Sequence, residues 1–375
     1  MATNTIKQLL AEGQSVWQDD ISREMIASGL LQERIDKVGI RGVTSNPTIF
    51  QKAIASGDAY DGDIADLLGQ DMTPAQIFQT VAVKDIQDAC DLFRSIYDES
   101  NGADGFVSIE VLPSLARDTE GTIENARALW TAVDRPNLMV KVPGTEEGVP
   151  AIEQLLFEGL NINITLLFSL VNYEQVANAY VSALIRRNDA GLPVDRIASV
   201  ASFFVSRVDT AADKLLEANG SDEAKALLGK VAVANAQLAY ERFDSIFGRD
   251  VFRDLAAEHG AQVQRPLWAS TGTKNAAYSD VLYVETLIGP DTVNTMPVPT
   301  IEAFLDHGTV SRTVDTDFAG AHEVVGRLAA LGISLDEITA KLEADGIASF
   351  MTSYDDLLAG VDAKRSQLAQ VAGDN

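Results

Sequence analysis

Asn137-Leu-Met-Val-Lys-Val-Pro143 reads as a short strand that is apolar on both faces, with one cation, Lys141, inside it. A run of this kind suits a parallel sheet covered by helices on both sides. Desolvation disfavours a charged amine, so an ammonium enclosed by Met139, Val140 and Val142 is expected to lose its proton more readily than one in water. A neutral amine near pH 7 is a nucleophile toward carbonyls. The alternative is that Lys141 lies near the strand end and snorkels to solvent.

Outward from this run, short β-rich segments alternate with longer helical patterns, as in parallel βα units. The strand candidates are Ser15 to Asp19, Gly39 to Thr44, Gly105 to Val111, Leu138 to Val142, Ile162 to Leu167, Ile197 to Val205, Pro266 to Ser270 and Thr292 to Met296. Apolar residues return at three- and four-residue steps over Thr119 to Ala132, Thr145 to Glu158 and Tyr173 to Arg187, which predicts helices there. Eight such units predict a closed (β/α)8 barrel, and 375 residues without a Pro- or Ser-rich linker fit one domain spanning 1–375.

A hydrophobic content of 46% describes an ordered globular chain, and a formal net charge of −26 repels nucleic acid and anionic lipid. No apolar run approaches the roughly 20 residues needed to span a bilayer. The single Cys90 cannot form an internal disulfide, and Met1-Ala-Thr-Asn-Thr-Ile-Lys7 lacks a basic region followed by an apolar stretch, so a cytoplasmic protein is expected. Triplets of the glycosylation type at Asn163 and Asn219 are then chance matches.

Polar residues fall late in the strand candidates: Asp19 after Val16-Trp17, Asn46 after Gly42-Val-Thr-Ser45, Glu110 after Phe106-Val-Ser-Ile109, and Thr165 within Asn163-Ile-Thr-Leu166. The carboxyl ends of barrel strands build the active-site face. Each residue alone also reads as a cap or turn former. Glu110 is the second buried charge, and an ionised carboxylate among Ile109, Val111 and Leu112 needs a partner or a raised pKa. A structural pair between Lys141 and Glu110 is one answer; Asp19, a third carboxylate, goes beyond it.

An amine with two acids suits imine chemistry, in which the amine condenses with a ketone while the acids move protons. The iminium then accepts the electrons of a breaking carbon–carbon bond, so no metal or cofactor is required. His259, His307 and His322 form no ligand-spaced cluster. For phosphate, Ala201-Ser-Phe-Phe-Val-Ser-Arg207 and Trp268-Ala-Ser-Thr-Gly-Thr-Lys274 each place hydroxyls and a cation after a late strand, where barrels bind phosphate. Solvated helix-start charges are the competing explanation for either segment. Gly144-Thr145-Glu146-Glu147-Gly148 matches neither the dinucleotide nor the Walker pattern and is read as a loop into a helix.

These stretches, in order and spacing, resemble the bacterial transaldolases of the longer type over nearly the entire chain. The matching segments are Gly42-Val-Thr-Ser-Asn-Pro-Thr-Ile-Phe50, Val107-Ser-Ile-Glu-Val111, Met139-Val-Lys-Val-Pro-Gly144, Asn161-Ile-Asn-Ile-Thr-Leu-Leu-Phe-Ser169 and Ala201 to Arg207. The resemblance implies a (β/α)8 TIM barrel with Lys141 as the Schiff-base lysine on the fourth strand. It implies Asp19 as acid/base at the hydroxyl of the cleaved bond, with Asp20 the neighbour for which it is most easily mistaken. Glu110 and Thr165 would hold a relay water, and Asn46 and Asn163 would bind the dihydroxyacetone unit. Ser202, Arg207 and Lys274 would grip phosphate with help from Ser270, although Thr271-Gly-Thr273 lengthens this loop relative to shorter transaldolases, which carry Arg near this point.

The implied reaction moves dihydroxyacetone from a ketose phosphate such as sedoheptulose 7-phosphate to an aldose phosphate such as glyceraldehyde 3-phosphate. Phe204 is expected to provide an apolar wall that keeps the intermediate dry. A Schiff-base lyase releasing free dihydroxyacetone and a non-catalytic sugar-phosphate binding barrel are the alternatives. The expected partners are sugar phosphates, the chain being a monomer or homodimer. Two regions exceed a minimal barrel: an acidic insertion from Ser56 to Met72, and the stretch 334–375, which opens with the capping-box spacing Ser334-Leu-Asp-Glu337 and is expected to form helices broken at Gly346 and Gly360 and packed on the barrel.

Overall fold

Strands β1 (Gln14–Gln18), β2 (Gly42–Val43), β3 (Val107–Glu110), β4 (Leu138–Pro143), β5 (Ile162–Leu167), β6 (Ser199–Phe204), β7 (Arg265–Ala269) and β8 (Thr292–Met296) close into an all-parallel barrel, each pairing with the next and β8 with β1. The structure, a computed structural model, describes residues 4–55 and 57–373; Met1 to Thr3, Ser56 at the start of the insertion, and residues 374 and 375 lie outside the described residues. β4 and β5 are buried at every position, as strands lined by side chains within and helices without must be.

At the amino ends of the strands the barrel is plugged. Trp17 fills the interior there because its neighbour Gly42 has no side chain: a Cβ on Gly42 would lie 2.8 Å from the indole and 2.7 Å from the Phe106 carbonyl. The indole Nε1 donates to buried Asp104 at 2.9 Å, which also accepts from Ser15 and faces Arg41 and Arg265 at 3.4 and 3.5 Å. The carboxyl ends of the strands are thus the face open to chemistry.

Local rules set the helices around the barrel. Asp118 and Ser169 accept from backbone N–H groups at the starts of Thr119–Val133 and Leu170–Asp189, and Thr73 with Gln76 forms a capping box before Pro74–Glu99. Two helix starts differ from expectation. Thr145 is spent on a turn, its hydroxyl accepting from Gly148 and donating to Ala116, so that helix runs Gly148–Glu158. Ser169 caps its helix one turn before Tyr173. β2 is shorter than Gly39 to Thr44 because Gly39, at φ 96°, ends the turn Arg34–Val38 and cannot yet be extended.

The expected breaks at Gly346 and Gly360 do not occur: Leu335–Gly373 is one helix, opened by the Ser334 hydroxyl accepting from Glu337 N. A helical glycine costs only about 1 kcal/mol, which burial of Leu357 and Val361 offsets. This C-terminal helix packs on Pro47–Ala55, Pro74–Glu99 and the insertion helix Asp61–Asp66. Lys364 pairs with Asp61 at 2.6 Å and donates to the Ile54 and Gly57 carbonyls, while Arg365 donates to Met72 O.

Candidate active site

Register brings the chemistry together. Glu110 on β3 stands opposite Lys141 on β4, which stands opposite Asn163 on β5, so three polar side chains enter the barrel side by side. Lys141 is 6% exposed, which rules out snorkelling to solvent. Its Nζ lies 2.6 Å from Glu110 Oε1 and donates to the Ser45 carbonyl at 3.0 Å. Burial pushes the Glu110 carboxyl above its ordinary range, outweighing the pull of Lys141, and the charge on Asp19 pushes the same way. Glu110 also borders a narrow cavity of about 120 Å³ whose walls include Pro47, Phe50, Phe78 and Tyr354. Glu110 Oε2 and Thr165 Oγ1 are both buried and have no protein hydrogen-bond partner among the described residues.

Asp19 follows β1 by one residue and continues its ladder, its N–H donating to Met296 O at 2.9 Å. Thr44 Oγ1 donates to its carboxylate at 2.6 Å and contacts the Thr295 hydroxyl at 2.7 Å. Asp19 lines a cavity of about 300 Å³ at the mouth of the barrel, and Asp20 does not. The carboxyl of Asp20 is raised by burial first and by Asp19 second.

That cavity is also lined by Asn46, Lys141, Thr165, Ser202, Phe204, Arg207, Ser270 and Lys274. Glu110 and Asn163 do not line it; Glu110 stands behind Lys141, and Asn163 lies deeper, accepting from Ser202 Oγ at 2.7 Å and donating to Ser108 Oγ at 3.0 Å. Asn46 Oδ1 accepts from Ile49 N at 3.0 Å, the capping bond its position predicts, and the side chain still borders the cavity.

The other end of the cavity is cationic. Arg207, in the first turn of Ser206–Asn219, lies 5.2 Å over the Phe204 ring and has no carboxylate within ion-pair distance among the described residues. Burial lowers the pKa of its guanidinium and Asp19 opposes that shift. Ser206 N donates to Ser270 O at 3.1 Å and the two serine hydroxyls lie 3.0 Å apart, with Ser270 left-handed at φ 57°. Lys274 stands exposed on the loop beyond β7. Phe168, 5.2 Å from Phe204, backs the apolar wall.

Several lining residues escaped the sequence reading. Thr48 and Lys52 lie four apart on Pro47–Ala55 and so share the face that borders the cavity, a spacing visible in the sequence. Ser349 and Phe350 arrive from the C-terminal helix, and nothing local in the sequence announces them.

Comparison with known proteins gives the family. Residues 16–361 match the Transaldolase/Fructose-6-phosphate aldolase family. The chain is 48% identical over 370 residues to "Transaldolase" of Mycolicibacterium smegmatis, covering 98% of this chain and 99% of that protein. It is 46% identical over 372 residues to "Transaldolase 2" of Streptomyces coelicolor, covering 99% and 100%, and 45% identical over 381 residues to "Transaldolase" of Trichodesmium erythraeum, covering 99% and 100%.

Proposed function

Since the chain belongs to the Transaldolase/Fructose-6-phosphate aldolase family, we propose that Lys141 is the amine that forms its Schiff base. The protein is a transaldolase, a transferase that moves a dihydroxyacetone group from sedoheptulose 7-phosphate to glyceraldehyde 3-phosphate, giving erythrose 4-phosphate and fructose 6-phosphate. The observation that carries the residue assignment is the Lys141–Glu110 contact of 2.6 Å at the edge of a cavity bordered by Asp19, Thr165 and Arg207.

Nζ adds to the C2 carbonyl of the ketose, its proton passing toward Glu110, and the carbinolamine hydroxyl leaves as water to give the iminium. Glu110 and Thr165 hold the water that relays these protons, a role supported by Glu110 Oε2 and Thr165 Oγ1, which are buried without a protein hydrogen-bond partner among the described residues. Asp19 takes the proton of the C4 hydroxyl as the C3–C4 bond breaks. The electron pair flows into the iminium to give an enamine, and the aldehyde departs. Attack of the enamine on the acceptor aldehyde, with Asp19 returning its proton, runs the sequence backwards on the new sugar.

Asn46 and Asn163 bind the dihydroxyacetone unit. Ser202, expected at the phosphate, is assigned to this deeper end because its hydroxyl donates to Asn163. Arg207, Ser270 and Lys274 grip the phosphate, and Lys52 adds a further cation at the mouth. Phe204, backed by Phe168, excludes water from the enamine, which favours transfer over release of dihydroxyacetone. Among the described residues no helix is long and apolar enough to cross a membrane, and we place the enzyme in the cytoplasm as a monomer or homodimer.

Borohydride reduction in the presence of fructose 6-phosphate, followed by peptide mapping, tests the assignment. A three-carbon adduct on Lys141 is expected. An adduct elsewhere, or none while substrate still binds, overturns it. Turnover that needs no aldose acceptor would identify the lyase instead.

A further inference from the structure

Two buried carboxylates lie where the chemistry above makes no use of them. Asp209 and Asp213 are one turn apart on Ser206–Asn219, the helix whose first turn carries Arg207, and they are 1% and 7% exposed. Neither has a cationic partner among the described residues. Each is satisfied instead by backbone N–H donation and one tyrosine hydroxyl. Asp209 accepts from Ala232 N at 2.7 Å and Tyr283 OH at 2.9 Å; Asp213 accepts from Gly229 N at 3.1 Å and Tyr278 OH at 2.7 Å.

Both tyrosines follow the loop that carries Lys274. Thr273 Oγ1 donates to Ser279 O at 2.8 Å and Tyr278 N donates to Asn275 O at 3.1 Å, closing a turn around Lys274 just before Tyr278. The Tyr278 ring lies against Gly229, at φ 69°, where a Cβ would come within 2.9 Å of it. Burying unpaired carboxylates is costly, and apolar side chains would serve as well if this region needed only packing. What the arrangement supplies is a fixed distance between a helix and a loop, and each carries one cation of the phosphate site.

We infer that Tyr278 is a positioning residue: through Asp213 it ties the Lys274 loop to the Arg207 helix and so sets the spacing of the phosphate grip. The inference rests on the reading of Arg207 and Lys274 as phosphate ligands. Tyr283 and Asp209 form the second tie, deeper in the molecule.

Tyr278→Phe keeps the ring on Gly229 and removes only the hydroxyl. Losing one hydrogen bond to a charged group corresponds to roughly ten- to a hundredfold, of which the phosphate grip feels only a part, so an effect of roughly five- to tenfold is expected there. The KM for fructose 6-phosphate is expected to rise by about that factor, with kcat changed less than about twofold and no change in KM for an unphosphorylated donor. In a Lys274→Ala background the same substitution is expected to add nothing, because the residue it positions is gone. An unchanged KM, equal losses on phosphorylated and unphosphorylated donors, or additivity with Lys274→Ala would each overturn the inference. Calorimetric binding of inorganic phosphate, expected to weaken in Tyr278→Phe, reports on the grip without turnover. A wild-type protein that binds phosphate but transfers nothing would therefore defeat the residue roles proposed for catalysis while leaving this tie standing.

Discussion

Lys141 Nζ and Glu110 Oε1 face each other at 2.6 Å from paired positions on adjacent strands, both side chains less than a tenth exposed. Removing one partner strands the other. Lys141→Ala is expected to abolish transfer and borohydride trapping and to leave Glu110 buried without its cation, a situation that costs about 3–5 kcal/mol when the acid is ionised. The Glu110 carboxyl is already raised by burial, and losing Lys141 removes the main influence lowering it. An acid raised in the folded state contributes stability below its unfolded value that is lost as pH rises through its folded value. The variant should therefore unfold more easily than wild type at pH 8 and recover as pH falls toward 5, as thermal melts across that range will show. A deficit that does not depend on pH contradicts the assignment of charge.

Glu110→Gln keeps the shape and removes the proton acceptor. Positioned acid–base groups contribute about 10²- to 10⁴-fold, and a loss in that range is expected in the rate of imine formation, with smaller effects on substrate binding. In wild type the acid limb of kcat/KM should lie above the ordinary carboxylate range, because burial raises Glu110, and should report the Lys141–Glu110 pair as a unit. A stopped-flow profile of the glutamine variant with the same acid limb would assign that limb to another group.

The two cations proposed to grip phosphate are not equivalent. Arg207 is largely buried over Phe204 and has no carboxylate within ion-pair distance among the described residues, whereas Lys274 is exposed. Charged hydrogen bonds made out of water are worth more than those at the surface. Arg207→Ala should raise KM for fructose 6-phosphate by about 10²-fold and Lys274→Ala by about tenfold or less, with unphosphorylated donors indifferent to both. Steady-state kinetics on the two donor classes decides it, and the reverse ranking would place the phosphate further out, toward Lys52 and Lys274.

Phe204 presents an apolar ring to the cavity. Phe204→Tyr adds a hydroxyl, and with it a proton source, beside the enamine. Release of free dihydroxyacetone from fructose 6-phosphate without acceptor should rise, and transfer should fall in proportion. Unchanged release means that water exclusion does not depend on this wall.

The barrel was legible because strands buried on both faces leave unbroken apolar runs, so a charge inside such a run, Lys141 or Glu110, stands out. β2 was not legible at its start, since Gly39 serves a left-handed turn that composition does not separate from a strand. The preference for Asp19 over Asp20 rested on alternation and on the family resemblance, and of the two only Asp19 lines the cavity. Ser349 and Phe350 could not be found from local pattern, because a helix far along the chain brings them to the mouth. The glycines in that helix were read as breaks on propensity alone, which tertiary packing overrides.

Those two glycines now separate cleanly. A Cβ on Gly346 would lie 3.0 Å from Leu166 Cδ2 and 3.8 Å from Arg207 Nη1, whereas one on Gly360 would meet nothing within 4 Å among the described residues. Leu166 is itself left-handed, φ 60°, at the register shift of β5 just beyond Thr165, so it has little freedom to retreat. Gly360→Ala should stabilise the protein by about 0.5–1 kcal/mol through helix propensity, with unchanged kinetics. Gly346→Leu should instead push on Leu166 and Arg207, raising KM for phosphorylated substrates and lowering the melting temperature despite the same gain in propensity. If Gly346→Leu leaves KM untouched, the C-terminal helix merely borders the site; if KM rises, the close approach at Gly346 is part of how Arg207 is held.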